Sequence, residues 1–320
     1  MLPFIDYQRE KKIPRPRVDV QQFDQRTTDA QQFILSLKEE TAINRLNTLH
    51  AIAAAGSGHP GGSFSAAEIV TTLFAAFLTH DPANPRGEQR DRFILSKGHG
   101  VPIVYAALAS RGFFSVDRLA TLRRLGGLPG HASPTTPGID APTGSLGQGL
   151  SYAQGIAEAL ALKDIDANVY TILGDGELQE GQIWEAARSI GNRSRGSIIA
   201  LLDNNGVQQT GPVESISSLA SIRDKFLAFG WHVIGQDARW GAPRDDGHDH
   251  IFLINALAEA QQTTRPTLII CNTVKGKGVS FMENKAQWHG KAPKGEEYQL
   301  AAKELTAQRD SAVAAYEELR

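Results

Sequence analysis

The chain has 320 residues, of which 41% are hydrophobic and 21% charged, and its net charge is −2. These values are ordinary for a globular protein with a large core, and the small net charge gives no reason to expect a nucleic acid or an anionic membrane as partner. No apolar run is long enough to span a bilayer and residues 1–17 lack the apolar core of a signal peptide, so we expect a cytoplasmic protein.

The predicted elements alternate between helices and short apolar strands. Residues 1–28 carry three prolines and little periodicity, which predicts an N-terminal extension on the surface. Helices are then expected at about 29–56, 65–77, 144–163, 177–190, 217–229, 250–261 and from 296 onward, and strands at 93–95, 169–173, 197–202, 231–235 and 267–272. This alternation predicts one α/β domain over 29–320, a mostly parallel β-sheet with helices on both faces and a C-terminal helical tail.

Several local signals suggest how individual helices begin. Asp29 is a plausible N-cap of the first long helix, and Ser65 and Glu68 have the spacing of a capping box. The acidic turn 245–250 directly precedes a helix, so we interpret its aspartates as capping residues rather than metal ligands. The single cysteine, Cys271, excludes internal disulfides and is expected to be a core residue.

Two polar turns follow neighbouring strands and predict a metal site. Asp175, within a Gly-Asp-Gly turn, comes directly after the strand at 169–173, and Asn205 follows the strand at 197–202. In such strand–helix–strand units, ligands bind at the carboxyl ends of the strands. A carboxylate, an amide oxygen and a main-chain carbonyl are hard ligands suited to Mg²⁺ that also holds phosphate oxygens. A helix opening at Glu177 would point its free N–H groups at a diphosphate.

Four histidines lie beside glycines in predicted loops, at positions 59, 99, 131 and 289. A single loop histidine is usually solvated or caps an element, but four of this kind together favour a functional cluster. Neutral imidazole can donate a hydrogen bond to a diphosphate or a sugar hydroxyl, and it suits proton transfer near neutral pH. Histidine and cysteine spacing typical of zinc sites is absent from the sequence.

A basic, glycine-rich segment at 273–278 follows the last strand. Its flanking glycines would let Lys275 or Lys277 reach a phosphate as a point charge. The alternative is an exposed basic turn, and the residues alone leave both open. The residue order required of a P-loop is missing.

Taken together, the motifs of this chain resemble the N-terminal half of transketolase. They occur in the family's order and read SGHPGG at 57–62, SKGHG at 96–100, TGSLGQG at 143–149, GDGELQEG at 174–181, DNNGV at 203–207, TVKGKG at 273–278 and WHGK at 288–291. The resemblance implies the diphosphate-binding domain of the thiamine diphosphate-binding fold. It also implies transfer of a two-carbon ketol unit from a ketose phosphate to an aldose phosphate.

The resemblance assigns a cofactor role to each matching position. Asp175, Asn205 and the carbonyl of Val207 would bind Mg²⁺, for which Ca²⁺ or Mn²⁺ are expected substitutes. The remaining positions would contact thiamine diphosphate, at its diphosphate or beside its rings; they are His99, Gly144, Ser145, Leu146, Gly176 and Lys275.

The same resemblance implies residues for the substrate and for the subunit interface. His59, His131 and His289 would face the reactive carbon and the donor sugar, and His289, also next to the cofactor, would serve in proton transfer. Glu180 would lie at the subunit interface near the cofactor. Gln209 occupies a position beneath the cofactor where relatives carry an apolar residue or a glutamine.

Two departures from full-length transketolase shape our expectations. The loop at 236–244 is longer, and the chain ends at Arg320, before the pyrimidine-binding and C-terminal domains. We therefore expect one subunit of a split transketolase, in a hetero-oligomer of two chains of each kind (α₂β₂), whose partner supplies the remaining domains. Alternatives are a subunit of a deoxyxylulose phosphate synthase or 2-oxo-acid dehydrogenase, a non-catalytic relative, and a transketolase for an unusual sugar.

Overall fold

The computed structural model describes residues 3–193, 197–238 and 246–320. Within these ranges one parallel sheet has the strand order β1-β2-β3-β5-β4. Its strands are β1 Arg92–Leu95, β2 Val169–Gly174, β3 Ile198–Asn204, β4 His232–Ile234 and β5 Thr267–Asn272. Most of the predicted loop at 236–244, and Asp245, lie outside the described residues.

The helices cover both faces of the sheet. Their bounds are α1 Tyr7–Glu10, α2 Thr28–Ala55, α3 Pro60–Ser65, α4 Ala67–Thr72, α5 Val101–Ser110, α6 Gly149–Leu162, α7 Gly181–Arg193, α8 Val213–Ser217, α9 Ile222–Ala228, α10 His250–Gln262 and α11 Glu296–Leu319. A π-helical turn at Leu73–Phe77 extends α4. Among the helices of the described ranges, none combines the length and apolarity that a membrane span requires.

Side chains of each strand alternate between two cores. In β5, Ile269 and Cys271 point into the core shared with α2, α4, α5 and α10. Leu268 and Ile270 point into the opposite core, which α6, α7 and α9 complete. Because both faces are buried, the strands read as continuous apolar runs, and the predicted α/β fold with a mostly parallel sheet is confirmed.

Helix starts differ from some of the local predictions. The predicted capping box is wrong: α3 ends at Ser65, whose hydroxyl donates to the Asp203 carboxylate 2.6 Å away, and Glu68 pairs with Arg45. The N-cap of α2 is Thr27 rather than Asp29, which lies in the first turn. Asp249 does cap α10, its side chain accepting from the backbone N–H of Ile251.

The N-terminal segment packs against α2. Tyr7 and Ile13 are buried. The carboxylate of Glu39 accepts the backbone N–H of Ile13 at 3.0 Å, and Arg15 pairs with Glu40 at 2.7 Å. Ordered polar contacts and buried side chains therefore join residues 3–23 to the domain, whose boundary at residue 28 remains a prediction.

Candidate cofactor and metal site

The polar turns predicted to form the site meet at one edge of the sheet. Gly174 at the end of β2 pairs in register with Asp203 of β3, and Asn204 of β3 pairs with Asn272 of β5. The segments that follow these strands therefore emerge side by side, as parallel strands require.

Asp175 is the carboxylate at the centre of this edge. It is buried, and its two oxygens accept the backbone N–H groups of Gly176, at 2.7 Å, and of Gly206. Burial raises the pKa of Asp175 to about 6, and the nearby Asp203 carboxylate acts in the same direction. A cation placed against such a carboxylate would stabilise its charged form.

Asn205 and Val207 form a turn that closes over Asp175. The side-chain oxygen of Asn205 accepts the backbone N–H of Val207 at 3.0 Å, and the intervening Gly206 is bound to Asp175. The carbonyl of Val207 faces the ammonium of Lys275 at 2.8 Å, so this carbonyl already interacts with a positive charge. Lys275 is only 2% exposed, which makes the exposed-turn interpretation wrong for this residue.

A buried ion pair that the motif interpretation did not assign lies beside Asp175. Asp203 pairs with Lys97 and also accepts the hydroxyls of Ser65 and Thr273. Burial alone would raise the pKa of Asp203, but Lys97 and these hydrogen bonds hold it below its ordinary value. Asp203 therefore stays charged, which Asp175 experiences as a neighbouring negative charge.

Sequence reasoning missed Asp203 and Lys97, although a signal was present. An acidic residue within an otherwise apolar parallel strand must find a buried partner. That partner is Lys97, two residues after the end of β1.

Glu177 was expected to open a helix, but its carboxylate joins three separate segments of the chain instead. Residues 176–179 form a 3₁₀ turn, and α7 begins only at Gly181. The Glu177 carboxylate accepts the Ser96 hydroxyl and the backbone N–H groups of Gly147, at 2.8 Å, and Gly174, at 3.1 Å. The free N–H groups of the first turn thus belong to a 3₁₀ segment, and Glu177 ties the edge of the site together.

The four glycine-adjacent histidines converge, as the sequence pattern suggested. The ring centroid of His59 lies 5.2 Å from that of His99, 6.2 Å from His131 and 5.4 Å from His289. The His99 and His289 centroids are 4.8 Å apart. Lys275 joins this cluster to the turn of Asn205–Val207, because its ammonium also lies 2.9 Å from Nδ1 of His289.

These histidines are neutral near pH 7. Burial lowers the pKa of His59 to about 4 and that of His289 to about 3, assisted by the charges of Arg123 and Lys275 respectively. Burial also places the pKa of His99 well below its ordinary value and lowers that of His131. Each neutral ring has one N–H donor and one acceptor nitrogen, which suits hydroxyl recognition and proton transfer.

The TGSLGQG segment borders the histidine cluster on its exposed side. Gly144 and Ser145 are exposed and Leu146 is half-buried. A Cβ at Gly144 would lie 3.5 Å from the His131 ring, so this loop runs directly beside the cluster. Gly147 has φ +88°, a conformation that favours glycine.

Glu180 and Gln209 are both exposed, and they differ in what surrounds them. Glu180 packs its stem against Gly147, where an added Cβ would approach that of Glu180 within 2.8 Å.

Gly176 lies between Asp175 and Gln208, whose Cβ is 3.0 Å from the Cβ position of the glycine. The loop of Gln209 is closed by a backbone hydrogen bond of 2.9 Å between Gln208 and Gly211.

The chemistry of these donors fits a magnesium ion and a diphosphate. Within the described ranges, no group of three or more His, Cys, Asp or Glu side chains could hold a metal. The candidate donors are instead one carboxylate, one amide oxygen and one main-chain carbonyl oxygen. All three donors belong to the linked turns of Asp175 and Asn205–Val207. Hard oxygen donors of this kind suit Mg²⁺, which keeps further positions for phosphate oxygens and water.

Comparison with known proteins identifies the family to which the chain belongs. Residues 38–319 match the family model described as transketolase, thiamine diphosphate binding domain. The chain is 42% identical over 274 residues to a 6-deoxy-6-sulfo-D-fructose transketolase subunit of Clostridium sp. (strain MSTE9), covering 85% of this chain and 96% of the relative. It is 36% identical to an apulose-4-phosphate transketolase subunit of Phocaeicola vulgatus, covering 85% of this chain and 94% of that relative.

Solved structures agree with the sequence comparison. A transketolase complex with sedoheptulose 7-phosphate from Pichia stipitis superposes with a TM-score of 0.76 at 29% identity. The match covers 88% of this chain but 44% of the other, so the chain spans less than half of that transketolase. The chain therefore belongs to the transketolase family and carries its thiamine diphosphate binding domain.

Proposed function

We propose that this chain is the diphosphate-binding subunit of a transketolase that moves a two-carbon ketol unit from a ketose donor to an aldose acceptor. One observation carries the proposal: the linked turns of Asp175 and Asn205–Val207 lie beside four neutral histidines at a single sheet edge. The relatives named above are transketolases, which favours this function over a deoxyxylulose phosphate synthase or a 2-oxo-acid dehydrogenase.

The linked turns of Asp175 and Asn205–Val207 would hold the cofactor. Asp175, Asn205 and the Val207 carbonyl would bind Mg²⁺, with Ca²⁺ or Mn²⁺ as substitutes, and the ion would hold diphosphate oxygens. Around it, His99, Lys275 and the backbone of Gly176 would contact the diphosphate, and the loop 144–146 would line the rings. Thiamine diphosphate, when bound, supplies a nucleophilic carbon and an electron sink.

The histidines would orient the sugar and move protons. Because their pKa values lie below neutrality, His59, His131 and His289 would present neutral N–H donors to the hydroxyl and carbonyl oxygens of the donor. His289, next to Lys275, would exchange a proton with a sugar hydroxyl. Because the histidine cluster is uncharged, the metal ion and Lys275 would neutralise the negative charge of a diphosphate.

A second chain would complete the site. The relatives covered almost in full are named as subunits, which supports a partner that carries the pyrimidine-binding and C-terminal domains. Gly144, Ser145, Glu180 and Gln209 are exposed at the same edge, where such a partner would cover them. We propose an α₂β₂ assembly, and a sugar phosphate or an anionic sugar analogue as substrate.

Reconstitution tests this function. The chain alone should show negligible ketol transfer, and equimolar mixing with a chain that carries the pyrimidine-binding domain should restore it. A donor series of fructose 6-phosphate, 6-deoxy-6-sulfo-D-fructose and apulose 4-phosphate would identify the preferred sugar. Full activity of the chain alone, or no transfer from any donor when binding of Mg²⁺–thiamine diphosphate to the mixture is demonstrated by calorimetry, would refute the proposal.

A further inference from the structure

An arginine to which neither the sequence motifs nor the proposed site assigned a role reaches into the histidine cluster. Arg123 is exposed and has φ +57°, an uncommon conformation for a non-glycine residue. Its guanidinium lies 3.0 Å from the Ser57 hydroxyl and 3.3 Å from Nδ1 of His59. A Cβ at Gly130 would lie 2.9 Å from Nε of Arg123, so the glycine before His131 leaves room for this side chain.

The chemistry of the two groups sets the direction of their hydrogen bond. A guanidinium carries donors and no acceptor. Nδ1 of His59 must therefore accept, and a neutral imidazole that accepts at Nδ1 carries its proton at Nε2. Nε2 lies on the side of Gly290, whose Cβ position is 3.6 Å away, and thus next to His289 rather than toward Arg123.

We propose that Arg123 is a positioning residue that holds His59 as the Nε2–H tautomer, so that His59 donates a hydrogen bond to a sugar oxygen. The identity of that ligand rests on the proposed function, whereas the position of the proton does not. The pair Lys275 and His289 repeats the arrangement, because an ammonium that only donates lies 2.9 Å from Nδ1 of His289. Each cation thus donates to Nδ1 of a histidine, which leaves the Nε2–H group of that ring as the hydrogen-bond donor.

Several charged or titratable groups face His59, so a test must separate Arg123 from them. They are His99, His131, His289 and Lys275 together with Arg123 itself. Arg123→Met removes the donor and the charge, Arg123→Lys restores a donor and the charge, and Arg124→Met changes the adjacent exposed arginine as a matched control. Because Arg123 is exposed, these variants should fold, and thermal unfolding verifies this.

The position of the proton can be measured directly in the full chain. Long-range ¹H–¹⁵N spectra of ¹⁵N-histidine-labelled protein, assigned with His59→Gln, should show an Nε2–H ring with a hydrogen-bonded Nδ1. In Arg123→Met the Nδ1 resonance should move toward that of free imidazole and the pKa of His59 should rise, while Arg124→Met should match the wild type. A proton on Nδ1 in the wild type, or an Nδ1 signal indifferent to Arg123→Met, would overturn the proposal.

Kinetics of the reconstituted enzyme test the consequence. Arg123→Met should lower kcat/KM for the donor about tenfold, as expected for one lost hydrogen bond. Arg123→Lys should recover part of it, and the affinity for Mg²⁺–thiamine diphosphate should not change. An unaltered kcat/KM would overturn the role in donor recognition. If the wild-type mixture is inactive, the proposed function fails, and the spectra still decide the tautomer.

Discussion

The ammonium of Lys97 forms an ion pair with the carboxylate of Asp203, and the two side chains are 3% and 0% exposed. This pair gives different roles to two neighbouring acids, Asp203 within β3 and Asp175 directly after β2. Asp203 forms an ion pair with Lys97, whereas Asp175 accepts backbone N–H groups and remains available to an added cation. Lys97 thereby separates a structural carboxylate from a candidate ligand.

Removing Lys97 should destabilise the protein strongly. Lys97→Met leaves Asp203 charged, buried and without its partner, which typically costs about 3–5 kcal/mol. Urea unfolding should show this loss, and Lys97→Met combined with Asp203→Asn should recover part of it. The control is Lys163→Met, since the exposed Lys163–Glu88 pair should contribute less than about 1 kcal/mol. Equal effects of the two lysine substitutions would contradict the prediction.

Asp175 should dominate the binding of the metal and the cofactor. Asp175→Asn keeps the size of the side chain but removes its charge, and we expect Mg²⁺–thiamine diphosphate to bind at least about 100-fold more weakly, because lost supporting residues alone cost 10- to 100-fold. Calorimetry with the companion chain present measures this. The exposed Asp166→Asn serves as the control, and wild-type affinity in Asp175→Asn would exclude the metal assignment.

Acid should weaken the protein partly through Glu68. Burial alone would raise the pKa of Glu68, but Arg45 and His248 together hold it well below its ordinary value. Because the folded-state pKa is depressed, the stabilisation is present above the unfolded value of about 4.3 and is lost as the pH falls below it.

The Glu68 prediction is checked by unfolding at several pH values. The wild type should exceed Glu68→Gln in urea midpoint at pH 7, and the difference should shrink progressively below about pH 5. His248 also accepts the backbone N–H of Val274 at 2.8 Å, so this network supports the loop that carries Lys275. A difference independent of pH would rule out the ion pair as its cause.

Gly147 should tolerate no side chain. Alanine there would combine φ +88° with a Cβ 2.8 Å from that of Glu180, and such strain costs about 1–3 kcal/mol. We also expect weaker cofactor binding, because Gly147 anchors the loop 144–146 to Glu177. Gly155→Ala within α6 is the matched control, since nothing lies within 4 Å of its Cβ position and alanine should stabilise a helix by up to about 1 kcal/mol. Thermal unfolding and calorimetry distinguish the two.

Sequence patterns predicted well what depends on neighbouring residues in the chain. The buried strands β3 and β5 read as apolar runs, and the Asp249 cap precedes a clear helical pattern. Partners distant in sequence were not visible: Lys97 and Asp203 are 106 positions apart, and Arg123 and His59 are 64 apart. The capping-box prediction failed because Pro60 starts a helix earlier, which leaves Ser65 and Glu68 to contact other elements. The family was recognised because its motifs keep their order, and this prediction is confirmed.

The contacts of Ile13 with Glu39 and of Arg15 with Glu40 affect how segments of this chain can be exchanged with those of its relatives. The family model matches from residue 38 onward, and the segment before it supplies hydrogen-bond donors to those two carboxylates. A chimaera spliced at that point would remove these donors and leave Glu40 paired with Arg111 and Glu39 beside Arg309. We therefore expect an exchange that keeps residues 12–15 of this chain to be more stable than one made at residue 38.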